Sequence, residues 1–116
     1  MIKIEEYIDT VSGEKLKKET WWYYESGKVS EEWFYRDEKL HREDGPAIIH
    51  YCENGKIKSE FFWVNHKRHR SNGPAAIDYH ENGKIEREFY YLEDVECDIL
   101  QEMVIRGLEA EKSLIK

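Results

Sequence analysis

Cysteine is the first scarcity. Cys52 and Cys97 are the only two in 116 residues, too few for a disulfide framework, so the fold must rest on packing. No apolar run approaches the ~20 residues of a membrane-crossing helix. The opening Met1-Ile-Lys-Ile-Glu-Glu is charged at once, where a secretory leader would be apolar, and a cytoplasmic protein is expected. Basic charge is also in deficit: 25 acidic residues against 18 basic ones leave a net charge of −7. Such a surface lacks the Lys/Arg stripes that neutralise phosphates, so neither direct nucleic-acid binding nor a membrane surface is an expected partner. The same charge suits a basic groove on another protein, or simply keeps the chain soluble.

Aromatic residues are abundant instead. Four Trp, eight Tyr and four Phe can offset the ordering entropy that keeps charged, aromatic-poor chains disordered. They recur in a pattern. Residues 44 to 63, Asp-Gly-Pro-Ala-Ile-Ile-His-Tyr-Cys-Glu-Asn-Gly-Lys-Ile-Lys-Ser-Glu-Phe-Phe-Trp, return 28 residues later as Asn72-Gly-Pro-Ala, Tyr79, Glu81-Asn-Gly-Lys-Ile and Glu88-Phe-Tyr-Tyr. A more diverged copy precedes them at Tyr23, Glu25-Ser-Gly-Lys-Val and Glu32-Trp-Phe-Tyr. The copies align as 16–43, 44–71 and 72–99, with identical Tyr23/Tyr51/Tyr79, Gly27/Gly55/Gly83 and Glu32/Glu60/Glu88.

Each copy reads as strand, turn, strand, that is, one β-hairpin. A two-residue Asn54-Gly55 loop would scatter the apolar residues over both faces. A three-residue Glu53-Asn54-Gly55 loop, with Gly55 left-handed, pairs Tyr51 with Ile57 and Ala47 with Phe61. One face then gathers Ala47, Ile49, Tyr51, Ile57, Phe61 and Trp63, together with Trp21, Tyr23, Val29, Trp33 and Tyr35 from the first copy and Tyr79, Phe89 and Tyr91 from the third. Pro46 and Pro74 fix φ and lack an N–H, marking strand entries. The expected fold is mainly β: an antiparallel meander of hairpin repeats in a curved, largely single-layer sheet, in a single domain covering residues 1–116. Residues 1–15 form an N-terminal strand and turn, and 16–92 the three hairpins. Val95, Ile99, Leu100, Met103, Val104 and Leu108 lie on one arc at helical spacing behind Asp94 as N-cap, which predicts an amphipathic helix over 94–112.

One helix of that length is too narrow to cover such a sheet. The uncovered aromatic face, with Trp21, Trp33, Tyr35, Phe61, Trp63 and Tyr91, is therefore an expected interface for a protein partner or for a second copy in a homodimer. A catalytic centre is not expected. Cys52 and Cys97 lack a nucleophile signature, and no phosphate-cradling loop is present. Of His50, Cys52, His66, His69 and His80, the first two lie two apart on one strand face, but Cys52 and His80 hold the same repeat position about 10 Å apart in a regular meander, too far for one zinc ion. Glu32, Glu60 and Glu88 form a carboxylate row expected to pair with neighbours such as Lys58 and Arg87. No cofactor or metal is expected. His41, Arg42, Arg68, His69 and Arg70 place basic groups in two adjacent connections, where guanidinium forks either take a phosphate ligand or an acidic partner, or fix the loops by bonding their own carbonyls and pairing with Glu43 and Asp44.

Tyr-x-x-Asn-Gly-Lys-Ile at 51–57 and 79–85, with its downstream aromatics, resembles the MORN-variant repeats. The His-Arg-x-Asp/Asn-Gly-Pro-Ala connection resembles an elongated form found in small bacterial and bacteriophage proteins. The resemblance spans about residues 16–92, and the first copy departs from it, lacking Gly-Pro-Ala and carrying Ser26 for Asn. It implies a sheet used for binding rather than catalysis. It also implies a non-enzymatic inhibitor of a bacterial effector such as a nuclease or toxin, of the anti-defence (anti-CRISPR) or antitoxin kind, acting in the bacterial cytoplasm. The alternative is a protein that sequesters a nucleotide signal at the His-Arg loops.

Overall fold

The computed structural model describes residues 1–8 and 10–97, and among these the regular structure is all strand. The strands are β1 (Ile2–Ile8), β2 (Lys15–Trp22), β3 (Val29–Arg36), β4 (Lys39–Leu40), β5 (Ile48–Tyr51), β6 (Ile57–Phe61), β7 (Trp63–Val64), β8 (Lys67–Arg68), β9 (Ala76–Tyr79), β10 (Ile85–Leu92) and β11 (Val95–Cys97). Every pairing is antiparallel. The main sheet runs β1-β2-β3-β5-β6-β9-β10-β11 with β4 beside β3, and β7-β8 form a separate ribbon. The buried apolar residues, Leu40, Ala47, Ile48, Ile49, Ala75, Ala76 and Ile77, sit mostly on the central strands β5 and β9 and their entries.

The hairpins β2–β3, β5–β6 and β9–β10 are the three sequence repeats. In the second, the Cys52 N–H donates to the Lys56 carbonyl at 2.8 Å and the Gly55 N–H to the Cys52 carbonyl at 2.9 Å. Gly55 has φ 90°, so the loop is the expected three-residue turn closed by a left-handed glycine. His80, Gly83 and Lys84 reproduce it. The first turn is one residue longer. There the Tyr23 N–H donates to the Lys28 carbonyl, and Trp22 rather than Tyr23 lies opposite Val29. Trp22 thus takes the place that Tyr51 and Tyr79 occupy opposite Ile57 and Ile85, and the equivalence of Tyr23 with those tyrosines holds in sequence only.

A second irregularity redistributes the faces. Tyr51 pairs with Ile57 but His50 with Ser59, leaving Lys58 as an extra residue; Ser30 and Glu86 are skipped in the same way in the other hairpins. A one-residue bulge moves everything beyond it to the opposite face. Phe61 therefore pairs with Ile48, not Ala47. The expected single apolar face is split in two. A tryptophan face carries Trp21, Trp33, Ile48, Phe61, Ala76 and Phe89, and a carboxylate face carries Glu32, Ile49, Tyr51, Glu60, Ile77, Tyr79 and Glu88.

The connections are hairpins as well. Asp37-Glu38, Asn65-His66 and Glu93-Asp94, again 28 residues apart, have both residues at positive φ (47° and 66°, 50° and 67°, 46° and 72°), the signature of a type I′ turn between tightly twisted strands. The third turn corrects the expected start of the helix. Asp94 is left-handed and not an N-cap, and Val95–Cys97 pair with Tyr90–Leu92 as β11. The pattern at 95–97 is extended because it completes the third copy of a connection that β4 and β7–β8 had already formed twice. The remainder of the expected helix, 98–112, lies outside the described residues.

The turn glycines set a stability expectation. Gly55→Ala and Gly83→Ala should each cost about 1–2 kcal/mol for forcing a side chain into left-handed backbone. The two costs should add, because the sites share no partner. Urea unfolding of the single and double variants checks this.

Candidate functional site

The His-Arg motif folds into a clasp, made twice. The Arg42 guanidinium carbon lies 4.0 Å from the centroid of the Phe34 ring, its Nε donates to Asp44 Oδ1 at 3.0 Å, and its Nη1 donates to the Pro46 carbonyl at 3.2 Å. Arg70 repeats this on Phe62 (4.0 Å), Asn72 Oδ1 (3.2 Å) and the Pro74 carbonyl (3.2 Å). A Cβ built on Gly73 would lie 2.8 Å from the Arg70 guanidinium, and one on Gly45 3.1 Å from that of Arg42. These glycines are needed for close approach. The preceding histidines join each clasp to the next repeat. His41 Nδ1 accepts the Asn65 N–H at 2.9 Å, and His69 Nδ1 accepts the Glu93 N–H at 3.0 Å. His41 is buried, and an imidazole accepting at Nδ1 carries its proton on Nε2, which faces Glu43 at 3.4 Å. Arg68 turns to the last connection, where its Nε donates to Asp94 at 2.8 Å and its guanidinium covers Tyr91 at 4.3 Å.

Between the two clasps lies a groove of about 360 Å³, lined by Arg42, Asp44, Phe62, His69 and Arg70 among others. Its two arginines each spend Nε and Nη1 on their own loop, and Asp44 sits at its rim against Arg42. The basic residues that the sequence marks as a phosphate site are thus brought together, but as plates and forks that hold successive hairpins. Of the two roles open in sequence, the geometry supplies the loop-fixing one.

Two carboxylates of the row, Glu32 and Glu60, are likewise tied up, by partners the sequence reading did not name. The Tyr51 hydroxyl donates to Glu32 Oε1 at 2.5 Å and Lys18 approaches the other oxygen at 2.9 Å, while the Tyr79 hydroxyl donates to Glu60. Arg87 pairs with Asp78 instead. Burial alone would raise the Glu32 pKa, but the bonds from Tyr51 and Lys18 outweigh it and hold the carboxyl below its usual range. Tyr79 is pushed up to about 12, by burial first and then by Glu60, and Tyr51 is raised for the same reasons through Glu32. The repeated columns Tyr51/Tyr79 and Glu32/Glu60 held this signal, and the hairpin register needed to see it depends on the bulge.

Five of the aromatic candidates, Trp21, Trp33, Tyr35, Phe61 and Tyr91, share the tryptophan side, while Trp63 lies in the separate β7–β8 ribbon. Trp33 and Phe61 belong to one row with Ile48, Ala76 and Phe89 that crosses five strands. His50 stands beside the row, edge-on to Phe61 at 5.7 Å, and Trp33 Nε1 donates to Glu31 at 2.9 Å. Trp21 flanks it, 39% exposed, and Phe89, which the candidate set omits, is 38% exposed. Tyr35 is partly covered by Lys17, 4.4 Å above its ring, and donates to Glu19; burial, with Glu19, pushes it up to about 12. Tyr91 donates to Glu96 beneath Arg68. Trp63 serves the connection instead, with a buried Nε1 and its ring 5.9 Å from His66. Among the described residues, no group of three His, Cys, Asp or Glu side chains could hold a metal ion, and no helix is long and apolar enough to cross a membrane.

Two outcomes test these assignments. Arg70→Ala should destabilise the fold by about 2 kcal/mol, and Arg70→Lys nearly as much, because an ammonium keeps the charge but loses the fork and the stacking plate. Lys67→Ala should be close to neutral in the same urea titrations. The tyrosines set the alkaline limb. Between pH 10 and about 12 the unfolded chain loses phenolic protons that folded Tyr35 and Tyr79 keep, so stability should fall as pH rises through that window. The fall should be shallower in Tyr79→Phe. Glu32 acts oppositely: its stabilisation is present above 4.5 and is lost as pH drops through its lowered folded value, so Glu32→Gln should flatten the acid limb.

The comparisons with known proteins match this geometry. The MORN repeat variant is matched at residues 19–37 and 75–93, segments that cover most of the first and third hairpins up to the first residue of the I′ turn and lie two 28-residue periods apart. The intervening hairpin holds the same phase, with the turn of the third hairpin and the bulge of both. No curated protein and no solved structure matches the chain significantly. Over its two matched segments the chain is similar to the MORN repeat variant.

Proposed function

We propose that the chain is a non-enzymatic binding protein that engages a protein partner through the tryptophan face. The observation that carries this reading is the aromatic row Trp33, Phe61 and Phe89, flanked by Trp21 and left part-exposed across the sheet, with Trp21 39% and Phe89 38% exposed. Large aromatic side chains in a partly desolvated row are the residues that dominate protein interfaces. On the carboxylate face, by contrast, Tyr51 is bonded to Glu32 and Tyr79 to Glu60. The acidic charge of −7 favours a partner with a basic surface, since complementary potentials steer encounter and penalise wrong partners. An effector of bacterial defence or a toxin, blocked by occlusion of its basic groove, is the partner class that this reading carries forward, in the bacterial cytoplasm.

Immobilised chain should retain one bacterial protein from lysate, released by raised salt. Trp21→Ala and Phe89→Ala should each weaken that capture about tenfold or more without shifting the unfolding midpoint by more than a surface substitution does. Equal capture by both variants would overturn the assignment of the face.

A further inference from the structure

The main sheet ends on β1, and all seven of its residues are exposed. It has no proline and no bulge, and its register with β2 is continuous from Ile2 to Ile8. Such an edge displays a row of unpaired N–H and C=O groups. Which residues display them follows from one bond. The Trp22 N–H donates to the Met1 carbonyl at 3.1 Å, so Met1 turns its backbone groups toward β2. Antiparallel alternation then turns Lys3, Glu5 and Tyr7 inward and leaves Ile2, Ile4, Glu6 and Ile8 facing out.

We infer that β1 is a dimerisation edge, pairing antiparallel with β1 of a second copy so that the two sheets become one. A two-fold axis normal to the sheet keeps like faces together and pairs outward residues with outward residues. With Glu5 opposite Glu5, like charges meet at the closely spaced, non-hydrogen-bonded position. With Glu6 opposite Glu6, carboxylates again meet at the axis. With Ile4 opposite Ile4, Ile2 pairs with Glu6 through backbone bonds, and Lys3 falls opposite Glu5 twice. That position brings side chains closest across antiparallel strands, and opposite charges there are favourable. In the single chain Lys3 and Glu5 only skirt each other, at 3.9 Å with side chains 62% and 49% exposed, so both can turn to a partner strand. The same register places Ile2 and Ile4 of both copies in line with the tryptophan face, covering residues that are 41% and 53% exposed. The edge is self-complementary in charge, in backbone polarity and in apolar face at one register only.

Sedimentation velocity over roughly 1 µM to 1 mM, the range of small interfaces, should show a reversible monomer–dimer equilibrium. Lys3→Glu and Glu5→Lys, each turning two attractive pairs into repulsive ones, should weaken it by about tenfold or more, and the double variant, which restores opposite charges, should recover it. Ile4→Pro removes an outward N–H that β2 does not use, so it should abolish the dimer and leave the monomer's unfolding midpoint nearly unchanged. A wild-type chain that stays monomeric throughout the range overturns the inference. So does a dimer indifferent to Ile4→Pro, or a double charge swap no better than the single ones.

Discussion

A guanidinium pressed between an aromatic ring and a glycine is the contact on which the rest of this protein depends. Among the described residues the buried apolar set holds three isoleucines, three alanines and a leucine, with no aromatic among them. That is a small core for the number of strands it must order, and a sheet of repeated hairpins gains stability chiefly from the terms that join neighbour to neighbour. Arg42 and Arg70 supply those terms. Each covers a Phe in or just past the second strand of one hairpin and bonds the loop that opens the next. The histidine beside it then catches the following I′ turn. Plates of this kind shield rings from water without needing a second layer of structure.

The most chemically suggestive part of the sequence is therefore the part most fully used by the fold. His-Arg-x-Asp/Asn-Gly-Pro-Ala has the side chains of an anion site, yet its forks close on the carbonyls of Pro46 and Pro74. Tyr51 and Tyr79 bond the glutamates that would otherwise stand as a bare carboxylate row. What distinguishes one repeat from another is the better guide to function. The position of His50 and Asp78 on the tryptophan face is taken by Trp21 in the first hairpin, and β1 corresponds to nothing in the repeat at all.

The hairpin count, the left-handed Gly55 and the strand entries at Pro46 and Pro74 were legible because each follows from local chemistry written in two or three adjacent residues. The faces were not, because Lys58, Ser30 and Glu86 carry no mark of the bulges they form; polar side chains at those positions suit a regular strand equally well. One skipped residue was enough to part Phe61 from Ile49. The beginning of the expected helix failed for a related reason. Val95 lies at helical spacing from Ile99 and also at the start of a third connection, and three residues of apolar pattern cannot decide between the two. Lining up Asp37-Glu38, Asn65-His66 and Glu93-Asp94 at the 28-residue period would have decided it, since type I′ turns favour Asn and Asp. Five of the six aromatic candidates, all but Trp63, reached one side of the sheet because they lie beyond the irregularities or clear of them. The different degrees of cover among the six depend on Lys17, Arg68 and His66, which only tertiary contact places.

The bulge is also what lets one sheet have two unlike sides. Without it, Phe61 and Ile49 would share a face while Glu60 stood on the other, and every hairpin would offer the same apolar surface that the clasps need to cover. With it, Glu60 comes within reach of the Tyr79 hydroxyl, and Phe61 passes to the side that no clasp reaches. The polar bonds then accumulate on the carboxylate face, where each new hairpin adds a tyrosine to the glutamate of the one before. The aromatic rings accumulate on the other. A strand sequence with period two cannot separate these roles, because it must hand every second residue to the same side from end to end. Inserting one residue per hairpin reassigns the second strand wholesale, so that the face holding the repeats together and the face carrying the aromatic row are set by the same residue.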